Sequence, residues 1–271
     1  MRFSILTADL GLLDRPESEV ELEPFSQFIA ENNVSCVCVQ GCTRSRETPP
    51  YVENAVSAIA DQLGRFGLKY DRVWDAFGAP GAGPTCGCAI LTQLPVLGRA
   101  ARQVSPSNHH SEAGAGQVSA VRLGISPEVV IDVFSIHLSE ATQNETQVAE
   151  LLQFVAGSAA TLAPQPDPGP RRRGRPPRVS QADRPTEPAR MIFLAGNLSD
   201  SSGTDGQIIG AGYTNGLAAA PDLLQREPAA AARSNRGAIY LRPGLRPTDA
   251  LTVSITKGHA GNHGRLLAFE V

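Results

Sequence analysis

The sequence lacks any apolar run able to cross a bilayer. Its longest, such as Val129-Val130-Ile131 and Met191 to Ala195, fall far short of the ~20 residues that a membrane-spanning helix requires. It also lacks excess positive charge: the formal net charge is −3 and the pI about 6.0, so no global field draws it to nucleic acid. Lysine is nearly absent, with Lys69 and Lys257 against 22 arginines. Aromatic residues make up 5%, and the single tryptophan, Trp74, is expected in the core rather than as a base-stacking platform. The opening residues Met1 to Leu6 meet Asp9 and Asp14, where a secretory signal would continue its apolar stretch, so the expected location is the cytoplasm. What is present is an ordinary globular composition, 41% hydrophobic and 19% charged over 271 residues. That excludes a wholly disordered or collagen-like chain and suffices for one full core.

Five cysteines, Cys36, Cys38, Cys42, Cys86 and Cys88, form an odd set with two C-x-C pairs, which is not a secreted disulfide framework. The pairs fall on short apolar runs, where residues two apart share a face, so they are expected as small buried hydrophobes rather than zinc ligands.

Apolar segments predict strands over 3–7, 34–40, 88–91, 117–123, 129–138, 191–195, 238–241, 251–255 and 266–271. Several are apolar on successive residues, which predicts cover on both faces. Val52, Val56, Ile59, Leu63 and Phe66, and then Val148, Leu151, Leu152 and Val155, recur at helical spacing. The order of strands and helices predicts an α+β protein, a four-layer α/β/β/α sandwich with two mixed sheets face to face and helices outside. Residues 1–271 are expected to form a single domain.

One segment departs from this pattern. Residues 164–190 hold eight prolines, seven arginines and three acids, +4 locally against −7 on the rest. Such a composition buries too little apolar surface to offset its ordering entropy and predicts a disordered insertion. Its centre, Arg171 to Arg178, contains Arg173-Gly174-Arg175-Pro176 and resembles an AT-hook. Arginine inserted into a narrow minor groove would supply DNA contact there; the competing reading is a solvated basic linker.

Chemistry is expected at strand ends. Thr7-Ala8-Asp9-Leu10-Gly11 closes the first strand, Val37-Cys38-Val39-Gln40-Gly41 the second, and Gly87 to Val96 reads Gly-Cys-Ala-Ile-Leu-Thr-Gln-Leu-Pro-Val. Ser135-Ile136-His137-Leu138, Phe193 to Ser199 with Gly196-Asn197-Leu198, Arg236 to Tyr240, and Gly261-Asn262-His263 follow in order. Together these resemble the motifs of the endonuclease/exonuclease/phosphatase superfamily, the deoxyribonuclease I-like fold, and the resemblance spans the chain apart from the insertion.

That resemblance implies metal-assisted attack of water on a phosphate ester, with a carboxylate cluster holding Mg²⁺ or Mn²⁺ and histidines holding the phosphoryl oxygens. By resemblance His137 and His263 keep the phosphate-holding roles, Ser199 stands where an asparagine binds phosphate, and Asn197 stands where an aspartate activates water. Gly41 replaces the metal-binding glutamate, Ala238 the histidine-orienting aspartate and Asn262 the last-motif aspartate. Asp9 and Asn262 are what remain as metal ligands. An amide cannot take a proton from water, and loss of a general base alone forfeits ~10²- to 10⁴-fold in rate. The expectation is a protein that has lost most metal-dependent hydrolysis, holds Mg²⁺ or Mn²⁺ weakly if at all, and keeps a pocket for a phosphate-containing ligand or a protein partner. Two alternatives stand beside it: an active phosphodiesterase with an atypical metal site, helped by Glu47 or Asp200, and DNA binding through residues 171–178.

Overall fold

The computed structural model describes residues 1–10, 19–44, 55–77, 85–104, 116–138, 144–162, 188–198, 202–216, 218, 236–242, 245–254 and 263–271. Two six-stranded sheets face each other. The first runs β11 (Asp249–Ser254), β12 (His263–Glu270), β1 (Arg2–Asp9), β2 (Cys36–Arg44), β4 (Thr85–Thr92), β3 (Asp71–Phe77). The second runs β5 (Val96–Val104), β6 (Gly116–Ser126), β7 (Val129–His137), β8 (Ala189–Asn197), β10 (Arg236–Leu241), β9 (Thr214–Asn215). Both sheets are mixed. Their parallel pairs are β1 with β2 and β7 with β8, each joined through a helix, α1 (Glu19–Glu31) or α3 (Asn144–Thr161), as parallel pairing demands.

Side-chain alternation divides the core into layers. Phe3 and Ile5 of β1 meet Val133 of β7 and Phe193 of β8 between the sheets. The Phe193 ring lies 5.4 Å from that of Phe3 and 5.0 Å from that of Phe269, so the sheets interlock through aromatic contacts. Leu6 points the other way, under Leu22, Phe25 and Ile29 of α1 and Ile59 and Leu63 of α2 (Ala55–Arg65). Phe134, Ile136 and Leu194 face Val148, Leu151 and Val155 of α3 and Ile208 of α4 (Ser202–Gly210). Strands buried on both faces therefore explain the successive apolar residues, and the four-layer sandwich is the observed architecture.

Cys36, Cys38, Cys42 and Cys88 are buried in these layers, and none of them is in a disulfide. Burial, reinforced by the neighbouring Cys36, pushes the Cys38 thiol well above the usual thiol range, away from the thiolate form that a metal or an electrophile requires. Trp74 is half-buried against the layer beneath α1 and α2.

Strands β3 and β5 escaped the sequence reading because both are sheet edges. Along β5 exposed and half-exposed positions alternate, so it carries arginine and alanine where a central strand carries valine. Helix α1 occupies the place of the helix expected between the first two strands and carries Pro24 within it; packing of Phe25 and Ile29 outweighs the proline's missing N–H. Strand β8 takes in Ala189 and Arg190, residues that composition alone placed in the insertion. Its remainder, 164–187, lies outside the described residues.

Gly196 sits one residue before the end of β8 at φ +150°. A Cβ there would fall 1.9 Å from the Ile136 carbonyl oxygen of β7, so only glycine lets the parallel strands close at this point. Gly196→Ala is expected to cost about 1–3 kcal/mol, read as a lowered urea midpoint.

Candidate functional site

The two parallel strand pairs end at the same side of the sandwich, and their carboxyl ends face each other. In the first sheet Asp9 lies beside Gln40; in the second His137 lies beside Asn197. Crevices outside the carboxyl ends of parallel strands are the usual ligand sites of such sheets. Main-chain bonds fix both rims: the Leu10 amide donates to the Gln40 carbonyl at 2.8 Å, and the Leu138 amide to the Asn197 carbonyl at 2.9 Å.

A polar seam ties the two sheets together immediately below. The Gln40 side chain, fully buried, accepts from Thr7 Oγ1 at 3.2 Å and donates through Nε2 to Ser135 Oγ at 2.9 Å. Ser135 Oγ in turn lies 3.4 Å from the Val39 carbonyl, to which it donates. Both ends of the Gln40 amide are thereby engaged in structure. Thr7, Gln40 and Ser135 were not anticipated as a unit, since a lone polar residue in an apolar strand carries no local sign of a partner 95 positions away.

At the rim the sheets meet through a charged contact. Asn197, 3% exposed, donates from Nδ2 to Asp9 Oδ2 at 2.9 Å. A carboxylate acceptor makes this a charge-assisted bond. His137, half-buried, has its Nδ1 enclosed with no hydrogen-bond partner among the described residues, and the Oε1 of Gln117, the residue opposite it on β6, is in the same condition. Two unsatisfied polar atoms on adjacent strands are groups that a bound water or polar ligand would satisfy.

Irregular backbone surrounds the rim. Gly41 adopts φ +65°, and the β2–β4 ladder breaks between Val39 and Cys42. The β8–β10 ladder slips between Arg236 and Ala238. Such bulges redirect chains next to functional sites.

No protein-family model and no curated protein sequence matches the chain. Solved structures do. An endonuclease/exonuclease/phosphatase family protein from Leptotrichia buccalis is similar with a TM-score of 0.72 at 12% identity, over 99% of this chain and 100% of the other. The chain has the endonuclease/exonuclease/phosphatase fold. A member from Bacteroides vulgatus is similar with a TM-score of 0.62 at 10% identity, over 100% and 99% of the two chains. D. rerio TDP2, solved in complex with a single-strand DNA product, gives 0.58 at 12% identity over 100% and 99%.

On this fold the structure brings together Asp9, Gly41, His137, Asn197 and Ala238 at one end of the sandwich. His263 joins them through its backbone, opening β12 antiparallel to β1 just beyond the Thr7–Arg265 pair. Ser199, Asn262, Glu47 and Asp200 lie outside the described residues, as do Arg173, Gly174, Arg175 and Pro176.

A divalent cation of the kind this fold implies does not fit the donors described here. Gly41 offers no side chain, Ala238 is fully buried and apolar, and the one carboxylate, Asp9, holds the Asn197 amide on Oδ2. No cluster of three or more His, Cys, Asp or Glu able to hold a metal occurs among the described residues. Magnesium gives up its waters only for several charged oxygens.

A second charged group, unforeseen, lies at the opposite end of the second sheet. Arg122 of β6 is paired in register with Asp132 of β7. Opposite charges within two neighbouring apolar strands are the signal in the sequence that could have found it.

Proposed function

We propose that this chain has lost metal-dependent phosphoester hydrolysis and uses the strand-end pocket to bind a phosphate-containing ligand. The contact between Asn197 Nδ2 and Asp9 Oδ2 carries this reading. Where the family resemblance would put a base to activate water, an amide with no titratable proton acceptor is committed to the neighbouring carboxylate. The half-buried His137 supplies a ring N–H donor for an oxyanion without requiring a metal.

Two measurements test it on one protein. Inorganic phosphate or pyrophosphate is expected to bind in titration calorimetry without divalent ions, and His137→Ala to weaken that binding by about tenfold or more. Turnover of bis(p-nitrophenyl) phosphate is expected to be no higher with Mg²⁺ or Mn²⁺ than with a chelator. Metal-dependent turnover that vanishes in both His137→Ala and Asp9→Ala would overturn the proposal and establish the alternative, an active phosphodiesterase with an atypical metal site.

A second reading concerns DNA. D. rerio TDP2, a fold neighbour, carries single-strand DNA product, and residues 171–178 supply five arginines around a Gly-Arg-Pro core. Contact through them would be electrostatic, so affinity would fall steeply with salt. Deleting residues 171–178 is expected to abolish salt-dependent binding of an A·T-rich duplex; undiminished binding would remove this reading.

A further inference from the structure

At the amino ends of β7 and β8, seven residues along β8 from Asn197 and so roughly 23 Å from the strand-end pocket, lies a cavity of about 860 Å³. It opens under the last turn of α3. Pro95, Leu97, Ile125, Val130 and Pro188 give it apolar walls, and Arg122 and Arg190 line it with charge. Its volume falls in the range of small-molecule sites, which pair apolar walls with a few placed polar groups.

The charges are held rigidly. Asp132, wholly buried, accepts from Arg122 Nε at 2.7 Å and Nη2 at 2.9 Å, and also from Arg190 Nε. Arg122 Nη1 lies 3.4 Å from the Ala159 carbonyl, at the end of a helix with no basic residue in its own last turn. Arg190 Nη2 donates to Ser158 Oγ at 2.5 Å. Among the described residues two guanidiniums face one carboxylate here, and the partial negative charge of the α3 terminus offsets part of the surplus. Arg190 Nη1 has no hydrogen-bond partner among the described residues, and the Arg190 side chain keeps 24% exposure. A preorganised guanidinium donor beside an apolar cavity suits a carboxylate with a hydrophobic body. The surplus of at most one positive charge selects a monoanion over a phosphate dianion.

We propose that this cavity is a second binding site, separate from the strand-end pocket, for a small organic monocarboxylate with an aliphatic or aromatic body. The proposal does not depend on what the strand-end pocket does.

Titration calorimetry with octanoate tests it, with octylammonium as the charge-reversed probe and octan-1-ol as the neutral one. Saturable one-site binding of octanoate is expected, with the other two at least about tenfold weaker. Arg190→Met keeps the stem and removes the donor, and is expected to lower octanoate affinity about tenfold or more. Leu97→Asp places a negative charge at a half-exposed rim position; it leaves the Asp132 pairs intact, should fold normally, and is expected to abolish binding. His137→Ala should leave octanoate affinity unchanged. The proposal is overturned if octanoate does not saturate, if octylammonium or octan-1-ol binds as well, if Leu97→Asp folds and still binds, or if His137→Ala abolishes binding.

Discussion

Replacing Asp132 with alanine is expected to lower folding stability by about 3–5 kcal/mol, read from urea denaturation at neutral pH. The carboxylate is fully buried and binds both Arg122 and Arg190, so its removal leaves two guanidiniums without their shared counter-charge. For a domain whose total stability is about 5–15 kcal/mol, this is about a fifth of the total or more. The cost arises from uncompensated charge rather than from the pair's intrinsic worth, and that distinction has its own test. Asp132→Leu combined with Arg122→Met replaces the bidentate pair by apolar side chains and should recover part of the loss, the remainder being the charge of Arg190 left without its partner. The exposed pair of Arg2 and Asp249, at 3.5 Å, marks the contrast: Arg2→Ala should change stability by less than about 1 kcal/mol. A loss below about 1 kcal/mol in Asp132→Ala would mean that solvent reaches the triad, and the rigid donor geometry of the distal cavity would no longer hold.

The sequence made the central strands legible for a reason visible in the layers. Phe3, Ile5 and Phe193 face the other sheet while Leu6, Phe134 and Leu194 face helices, so apolar residues follow one another along these strands, and buried polar positions such as Thr7, Gln40, Ser135 and Asp132 are exceptions that need partners. Edge strands obey no such rule, and β5, with Arg99 and Arg102 among its nine residues, leaves little trace. At the site, His137 and Asn197 were readable because each terminates an apolar run, where a polar residue stands out. The seam of Thr7, Gln40 and Ser135 was not, because its three members lie on different strands and only folding brings their side chains into register. Arg190 was misassigned for the opposite reason. Its neighbours on the amino-terminal side are rich in proline and arginine, and composition averages over a boundary that strand pairing opposite Val130 in β7 draws sharply.

Reversing the substitution at the rim probes whether the carboxylate-poor site is the folded protein's preference. Asn197→Asp exchanges a donor for an acceptor 2.9 Å from Asp9 Oδ2. Two unit charges at that distance repel by about 6 kcal/mol at an effective dielectric constant of ~20, so the pair would retain one proton rather than ionise fully. Asp9 is partly exposed, which moderates the effect, and the expected loss at pH 8 is about 2–4 kcal/mol, including the lost charge-assisted bond. The pH dependence has a definite sign. The folded pair holds its proton to higher pH than the unfolded chain, whose aspartates titrate near ~3.9, so its stabilising contribution is complete below that value and fades as pH rises through the folded one. The variant should therefore approach the native protein's stability at pH 5 and fall behind at pH 8. Manganese should restore part of the loss at pH 8 in the variant and do nothing for the native protein, since a cation bound only by the folded state stabilises it. Introducing further carboxylates would be less direct. Gly41→Glu must force a side chain onto a backbone at φ +65°, at a cost of about 1–3 kcal/mol, and Ala238→Asp would bury a carboxylate at a fully enclosed position. Native stability of Asn197→Asp at pH 8 without added metal would show that the two side chains do not meet as described, and the case for a site that has exchanged metal chemistry for ligand binding would lose its foundation.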